Sequence, residues 1–311
     1  MMSSWSEVVT VALALPLCWG VVEVGGVALR RLRIYATAQC IRRISNMIVS
    51  DEEPDDVEIR LLRRLFPMGV VLDSVIFVSE SIYGGSLNRL RLIVEVCELD
   101  YHLLCQVRRK RGSARAQSLS RLSSLTYATT VAEYAELYME QKHRKSRFYA
   151  MATLLSARPD RAVRYILRFD SELTLHEVAV LVQLMRRAGV SIAYTPMLIS
   201  QNRNLQLVGI YLCNHFTMTD AEPHLQRLAE SEDRDVAYLA LQTICSIRGD
   251  LSTRGVGVAL QRLQAHQRIA FVLRAVQNCY SLQSCAHLLT PKEQRLFSQH
   301  TSSYKCRMVC N

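Results

Sequence analysis

The sequence predicts an all-α fold, an α-solenoid of stacked helical hairpins preceded by one transmembrane helix. Three observations lead there. Only 12 glycines and 7 prolines occur in 311 residues. These two residues make tight turns and interrupt helices, so their scarcity favours long helices over a turn-rich β fold. Residues 8–29, VVTVALALPLCWGVVEVGGVAL, are apolar apart from Thr10 and Glu23. Finally, QNRNLQLVGIYLCNHF (201–216) has nearly the same grammar as EDRDVAYLALQTICSIRGD (232–250). With 50% hydrophobic residues the chain has enough apolar material for a packed core.

The first element is the span. At 1.5 Å per residue a helix over 8–29 crosses a hydrocarbon layer of about 30 Å. Only Glu7 precedes the apolar run, which lacks the leading cation of a cleaved signal peptide. Cations follow it, as Arg30, Arg31, Arg33, Arg42 and Arg43. The positive-inside rule then puts residues 1–7 outside and everything after Arg30 in the cytoplasm of a single-pass plasma (inner) membrane protein. Trp5 and Tyr35 are spaced to sit near the two interfaces. Glu23 is the polar residue of the span, and a carboxylate there marks a functional candidate. A buried or interfacial helix of a soluble protein is the alternative reading of 8–29.

Residues 30–66 read as a basic juxtamembrane segment and linker. SDEEPDDVE (50–58) is the polar break, and Asp55 or Asp56 is placed to cap the helix VEIRLLRRLF. A helical repeat domain is expected over 67–297, with 298–311 as a tail. Within it VVLDSVIFVSESIY, LNRLRLIVEVCEL, DYHLLCQVRRKRG, SARAQSLSRLSSLTY, TVAEYAELYMEQ, KSRFYAMATLLSA and TLHEVAVLVQLMRRAG carry apolar residues at helical spacing. DAEPHLQRLAES, GVGVALQRLQ and HQRIAFVLRAVQNCYS continue the series.

The repeat is clearest at 201–250. Asn202 and Asp233, Leu205 and Val236, Gly209 and Ala240, Cys213 and Ile244, and Phe216 and Ile247 each stand 31 positions apart, as in 236 − 205. Ile269 and Leu273 follow Val236 and Ala240 by 33 positions (269 − 236), and Phe148 and Ala152 precede Leu205 and Gly209 by 57 (205 − 148). A unit this short cannot bury its own apolar face, so neighbours stack. The stretch Asp233, Val236, Ala240, Ile244, Ile247, Gly249, Asp250 resembles the second helix of a short, bacterial-type HEAT repeat and its closing turn. The likeness covers 202–250 well and 251–282 fairly, and over 70–200 it amounts only to compatibility. It implies a HEAT-like solenoid whose second helices line a concave binding side. An irregular helical bundle is the alternative.

Catalytic grammar is sparse. LHEVAV contains His176 and Glu177 but lacks the second histidine of a zinc-protease helix, and the glycine-rich phosphate and nucleophile motifs do not occur. His102 and Cys105 share a helix face, but two ligands do not make a metal site. The reading is a non-enzyme without cofactor or metal. The ten cysteines are scattered, without C-x-x-C, and Cys97, Cys213, Cys245 and Cys279 sit in apolar helical patterns as small hydrophobes.

The net charge is +10 and arginine greatly outnumbers lysine. Two runs concentrate it, RRKRGSAR (108–115) and KHRKSR (142–147). Arg108, Arg109, Lys110, Arg111, Arg115, Lys142, Arg144, Lys145 and Arg147 are the candidate binding residues, expected on a common basic edge. Such an edge suits anionic lipid headgroups, an acidic protein partner, or nucleic acid. Nucleic acid is the least favoured, because Trp5 and Trp19 both belong to the anchor and no other tryptophan exists to stack on a base. The expected function is a membrane-anchored cytoplasmic scaffold or adaptor. Its expected partner is a protein at the same membrane, and the resemblance to anchored bacterial HEAT proteins points to a biosynthetic enzyme of glycosyltransferase type. A nucleic-acid-binding HEAT-like solenoid is the alternative.

Overall fold

The computed structural model describes residues 30–50, 54–82, 86–125, 129–187, 193–247, 253–277 and 282–298. Among these every regular element is helical and no strand occurs. Residues 8–29, Glu23, Cys279 and 299–311 lie outside them, so the expected span does too. No helix among the described residues is long and apolar enough to cross a membrane. The chain divides into two compact units, 1–127 and 128–311.

The N-terminal unit holds α1 (30–49), α2 (Asp56–Leu65), α3 (Met68–Ser79), α4 (Ser86–Val96), α5 (Leu99–Arg109) and α6 (Gly112–Leu125). Asp55 caps α2, its carboxylate accepting from the Val57 N–H at 3.3 Å. Acids in the first turn of α2 and Arg63 and Arg64 in its last turn complement the helix dipole. Pro67 separates α2 from α3, because it lacks the N–H needed to continue a helix. α3 is apolar on nearly every side, buries Val70, Val71, Leu72, Val75 and Val78, and packs against α2, α4 and α6. It is the core of this unit.

α1 corrects the linker expectation. Cys40, Ile44 and Ile48 recur every four residues and are 0%, 0% and 4% exposed. Arg33 pairs with Asp73 of α3 at 2.8 Å, and Arg89 of α4 donates to the Ile48 carbonyl at 2.8 Å. The polar break at 50–58 therefore does not detach what precedes it. Three apolar residues on one stripe outweigh the basic residues that dominate the composition of 30–49.

The C-terminal unit contains α7 (Thr129–Glu136), α8 (Arg144–Ala157), α9 (Ala162–Leu167), α10 (Leu175–Arg187), α11 (Thr195–Ile199), α12 (Arg203–Phe216), α13 (Glu222–Ala229), α14 (Arg234–Ile247), α15 (Thr253–Arg262), α16 (Ala265–Gln277) and α17 (291–298). Longer helices pack in succession, α8 on α10, α10 on α12, α12 on α14 and α14 on α16. Shorter ones do likewise, α11 on α13 and α13 on α15, while α11 pairs with α12 and α13 with α14.

N-caps keep the time of this series. His143, Thr174, Asn202 and Asp233 each accept from an N–H three residues on, at 3.3, 3.2, 3.1 and 3.0 Å. Their intervals are 31 (174 − 143), 28 (202 − 174) and 31 (233 − 202). The matched residues Leu205, Val236, Ala240, Cys213 and Ile244 are all at most 2% exposed. Gly209 is needed where it stands: a Cβ there would lie 2.9 Å from the Met197 Cβ of α11.

Three details of the expected register change. Phe216 is 45% exposed beside the left-handed Thr217 that ends α12, so it does not match the buried Ile247. Ile269 and Leu273 are only half-buried. An offset of 31 places Phe271 and Ala275 with Ala240 and Ile244 (271 − 240 and 275 − 244), and both are fully buried. Between the caps of α8 and α12 lie 59 positions (202 − 143) rather than 57. Phe148 thus corresponds to Leu207 (207 − 148), and both are core residues.

Candidate interaction surfaces

The basic runs fall in different units and have different surroundings. In the N-terminal unit α5 ends in Arg108 and Arg109, and Lys110 and Arg111 lead through Gly112, at φ +55°, into α6. Arg108, Arg109, Lys110 and Arg111 are exposed. Lys110 Nζ donates to the Gln106 side-chain oxygen at 2.7 Å, a neutral partner. Arg108, Arg109 and Arg111 form no ion pair among the described residues. Arg115 has a different job. Its Nε donates to the Val107 carbonyl at 3.1 Å and the Lys110 carbonyl at 2.9 Å, filling acceptors that the end of α5 leaves open. Arg115 thus fills the open carbonyls at the end of α5, while Arg108 and Arg109 add exposed positive charge to its last turn.

In the C-terminal unit the run splits by side. Lys142 and Lys145 are exposed. Arg144 forks onto both oxygens of Glu177 at 2.7 Å each, and onto the Glu172 carbonyl at 2.6 Å. Arg147 pairs with Asp170 at 2.7 Å and donates to the Ser171 hydroxyl at 2.9 Å. Both guanidiniums also sit over the buried Phe169 ring, 5.7 and 5.8 Å from its centre. They clamp the turn before α10 and are not free to meet a ligand. Burial alone would raise the Glu177 carboxyl, but Arg144 and the Thr174 N–H outweigh it and hold it below the usual carboxylate range.

The same arrangement recurs along this unit. Arg203 of α12 reaches Asp233 at 2.6 Å, Asp235 at 2.7 Å and the Leu173 carbonyl at 3.0 Å. Asn204, 6% exposed, accepts from the Leu173 N–H at 2.9 Å and donates to the Ser171 carbonyl at 2.9 Å. Arg168 pairs with Glu136 at 2.7 Å, Arg227 donates to the Leu198 carbonyl at 3.1 Å, and Arg262 to Ser231 at 2.6 Å. All of these bonds span 29 to 33 positions. Arg144, Arg168, Arg203, Arg227 and Arg262 are thus mortar between one helix pair and the next. Sequence reasoning missed this role, although the signal was present: an arginine just after one cap and a carboxylate at the start of the next helix.

Residues with chemical potential are otherwise quiet. Cys40, Cys97, Cys213 and Cys245 are buried thiols outside any disulfide, as the apolar contexts of Cys97, Cys213 and Cys245 imply. Burial pushes the thiols of Cys97 up to about 11 and of Cys213 and Cys245 to about 12, so none is a ready thiolate. Cys105 is half-buried, and His102 bonds Gln106 at 2.9 Å. His176 is exposed. Among the described residues no three His, Cys, Asp or Glu converge as a metal site. A cleft of about 320 Å³ lies against Arg268, Ile269, Thr290 and Glu293, but Arg268 and Glu293 already neutralise each other at 2.7 Å. No family model, no curated protein and no solved structure matches this chain.

Proposed function

We propose that the chain is a membrane-anchored HEAT-like α-solenoid acting as a non-enzymatic scaffold or adaptor. The observation that carries this reading is the cap-to-cap register of the C-terminal unit, with its arginine and asparagine bonds from one helix pair to the next. Stacking of that kind makes an extended surface whose units present side chains at regular intervals, which suits protein recognition. The anchor rests on the composition of 8–29 and the arginines after it. Its partner is a protein at the same membrane, and a biosynthetic enzyme of glycosyltransferase type is the first candidate.

Two measurements on full-length protein test the two halves of this reading. The chain should remain in the membrane pellet after a carbonate wash; release into the supernatant would remove the anchor. Affinity purification from detergent-solubilised membranes should retain one membrane protein in stoichiometric amount. Recovery of nucleic acid in its place, lost with rising salt, would favour a nucleic-acid-binding solenoid.

A further inference from the structure

We infer that the open face of α10, α12, α14 and α16 is a docking surface for an extended protein segment with acidic residues toward both ends. The inference rests on the scaffold reading above and deepens it. Each of these helices packs on the next. Arg203, the first residue of α12, donates to the Leu173 carbonyl before α10 at 3.0 Å and to Asp235 in the first turn of α14 at 2.7 Å. Arg262, just before α16, donates to the Ser231 carbonyl, just before α14, at 2.6 Å. Toward the other end, Arg274 of α16 donates to the Ser246 hydroxyl of α14 at 3.3 Å. Starts lie beside starts, so the four helices run parallel and their second halves form one row.

The chemistry of that row is one-sided. No acidic residue occurs in the second half of any of the four helices. Their only acids, Glu177 and Asp235, stand in first turns and are already taken by Arg144 and Arg203. Asp220, beyond the end of α12, is taken by the Tyr194 hydroxyl. At the outer helices the row carries Arg187, half-buried on α10, and Arg274, exposed on α16. Neither forms an ion pair among the described residues. Arg187 Nε has no acceptor there, and Arg274 meets only a neutral hydroxyl. These two arginines are therefore not mortar as Arg144 and Arg203 are. Between them the unburied side chains include Tyr211 and Asn214 on α12 and Gln242 and Ser246 on α14.

Charge and spacing choose the occupant. A guanidinium at each end of the row suits a carboxylate, which it can hold with two parallel bonds. The amides and hydroxyls between them both donate and accept, as the N–H and C=O groups of a peptide backbone require. From α10 to α16 there are three steps of about 9 Å between helix axes, about 27 Å in all. An extended chain covers that distance in about eight residues. A polynucleotide fits less well. It would bring a phosphate with every nucleotide to α12 and α14, whose second halves hold neither arginine nor lysine.

The test uses full-length chain in a neutral detergent and a fluorescein-labelled peptide, read by anisotropy. The peptide carries two Glu-Glu pairs separated by six Ser and Thr residues. It should bind, and R187Q/R274Q should weaken it about tenfold or more while keeping the native Tm. A peptide of the same composition with its four glutamates consecutive should bind at least fivefold more weakly, because it cannot reach both arginines. Equal affinity for the two peptides, or for native chain and R187Q/R274Q, would overturn the proposal. So would loss of binding in R108Q/R109Q/K110Q/R111Q, which would move the peptide to the α5–α6 elbow. Tighter binding of single-stranded oligothymidylate, lost in R187Q/R274Q, would reassign the face to nucleic acid. If neither peptide binds while the purification above retains a stoichiometric partner, this face is wrong and the scaffold stands. Peptide binding as expected, with no partner retained, would keep the face and remove the scaffold.

Discussion

Two stretches of this chain look alike as text and behave differently as structure. RRKRGSAR and KHRKSR are both dense in cations. In the second, Arg144 meets Glu177 in the first turn of α10 and Arg147 meets Asp170 before it, so the run is half absorbed into packing. In the first, only Arg115 is absorbed, and it pairs with backbone carbonyls. Charge density therefore does not tell which cations are available. What decides is whether a carboxylate stands one helix pair away, and α8 has such a neighbour while the α5–α6 elbow has none among the described residues.

The largest expected effect tests the stacking that makes this difference. Ala240 is fully buried and occupies the place that Gly209 holds in α12. Ala240→Arg puts an unpaired charge into the packing of α14 on its neighbours α12, α13 and α16 and should cost about 4 kcal/mol or more. Gly209→Ala is the milder companion. Helix propensity favours Ala by about 1 kcal/mol. The new Cβ would lie 2.9 Å from the Met197 Cβ and 3.3 Å from the Leu198 backbone nitrogen, so α11 must shift, and overpacking of that kind costs about 1–3 kcal/mol. A net loss is expected in thermal unfolding. If neither variant lowered Tm, the register linking α12 to α14 would be broken.

That register is also where the sequence was most legible. Asn202 and Asp233 are side chains that can cap, and their spacing survives in the structure unchanged. Apolar spacing was a poorer guide. In helices buried on two sides, such as α14 and α16, several i, i+4 pairings look equally good, so Ile269 and Leu273 drew attention away from Phe271 and Ala275. Composition misled at α1, where Cys40, Ile44 and Ile48 hold a basic segment in the core. The pairing of the site cations was not legible, because Glu177 and Asp170 come near Arg144 and Arg147 only after α8 and α10 have packed. The all-helical class needed only the scarcity of Gly and Pro.

A middle-sized effect sharpens the contrast within KHRKSR itself. Arg144→Ala leaves Glu177 partly buried without its fork and should cost about 2 kcal/mol. Lys145→Ala, one position away and exposed, should fall within about 0.5 kcal/mol of the native chain. Acid provides the sign. Glu177 is held below its ordinary 4.5 in the folded state, so its contribution is complete above that value and is lost as pH falls through the lowered one. In Arg144→Ala the carboxyl loses the partner that offsets burial. The stability gap between native and variant should then narrow below about pH 4.5. A gap independent of pH would mean that Arg144 acts through its stem on Phe169 and not through its charge.

The smallest expected effect lies in the other run, and there smallness is the claim. Replacing Arg108, Arg109, Lys110 and Arg111 together by Gln removes four positive charges from an exposed elbow. Exposed charges contribute little, and here the carbonyls at the end of α5 are already served by Arg115. Relief of mutual repulsion among four adjacent cations offsets the loss of the weak Lys110–Gln106 bond. The midpoint of denaturant unfolding should move by no more than about 0.5 kcal/mol equivalent. Arg115→Ala alone should do more, about 1 kcal/mol, because it opens the acceptors at the end of α5. If the fourfold variant were the less stable of the two, the four cations would belong to the fold as Arg144 and Arg147 do. The difference between the two runs would then disappear.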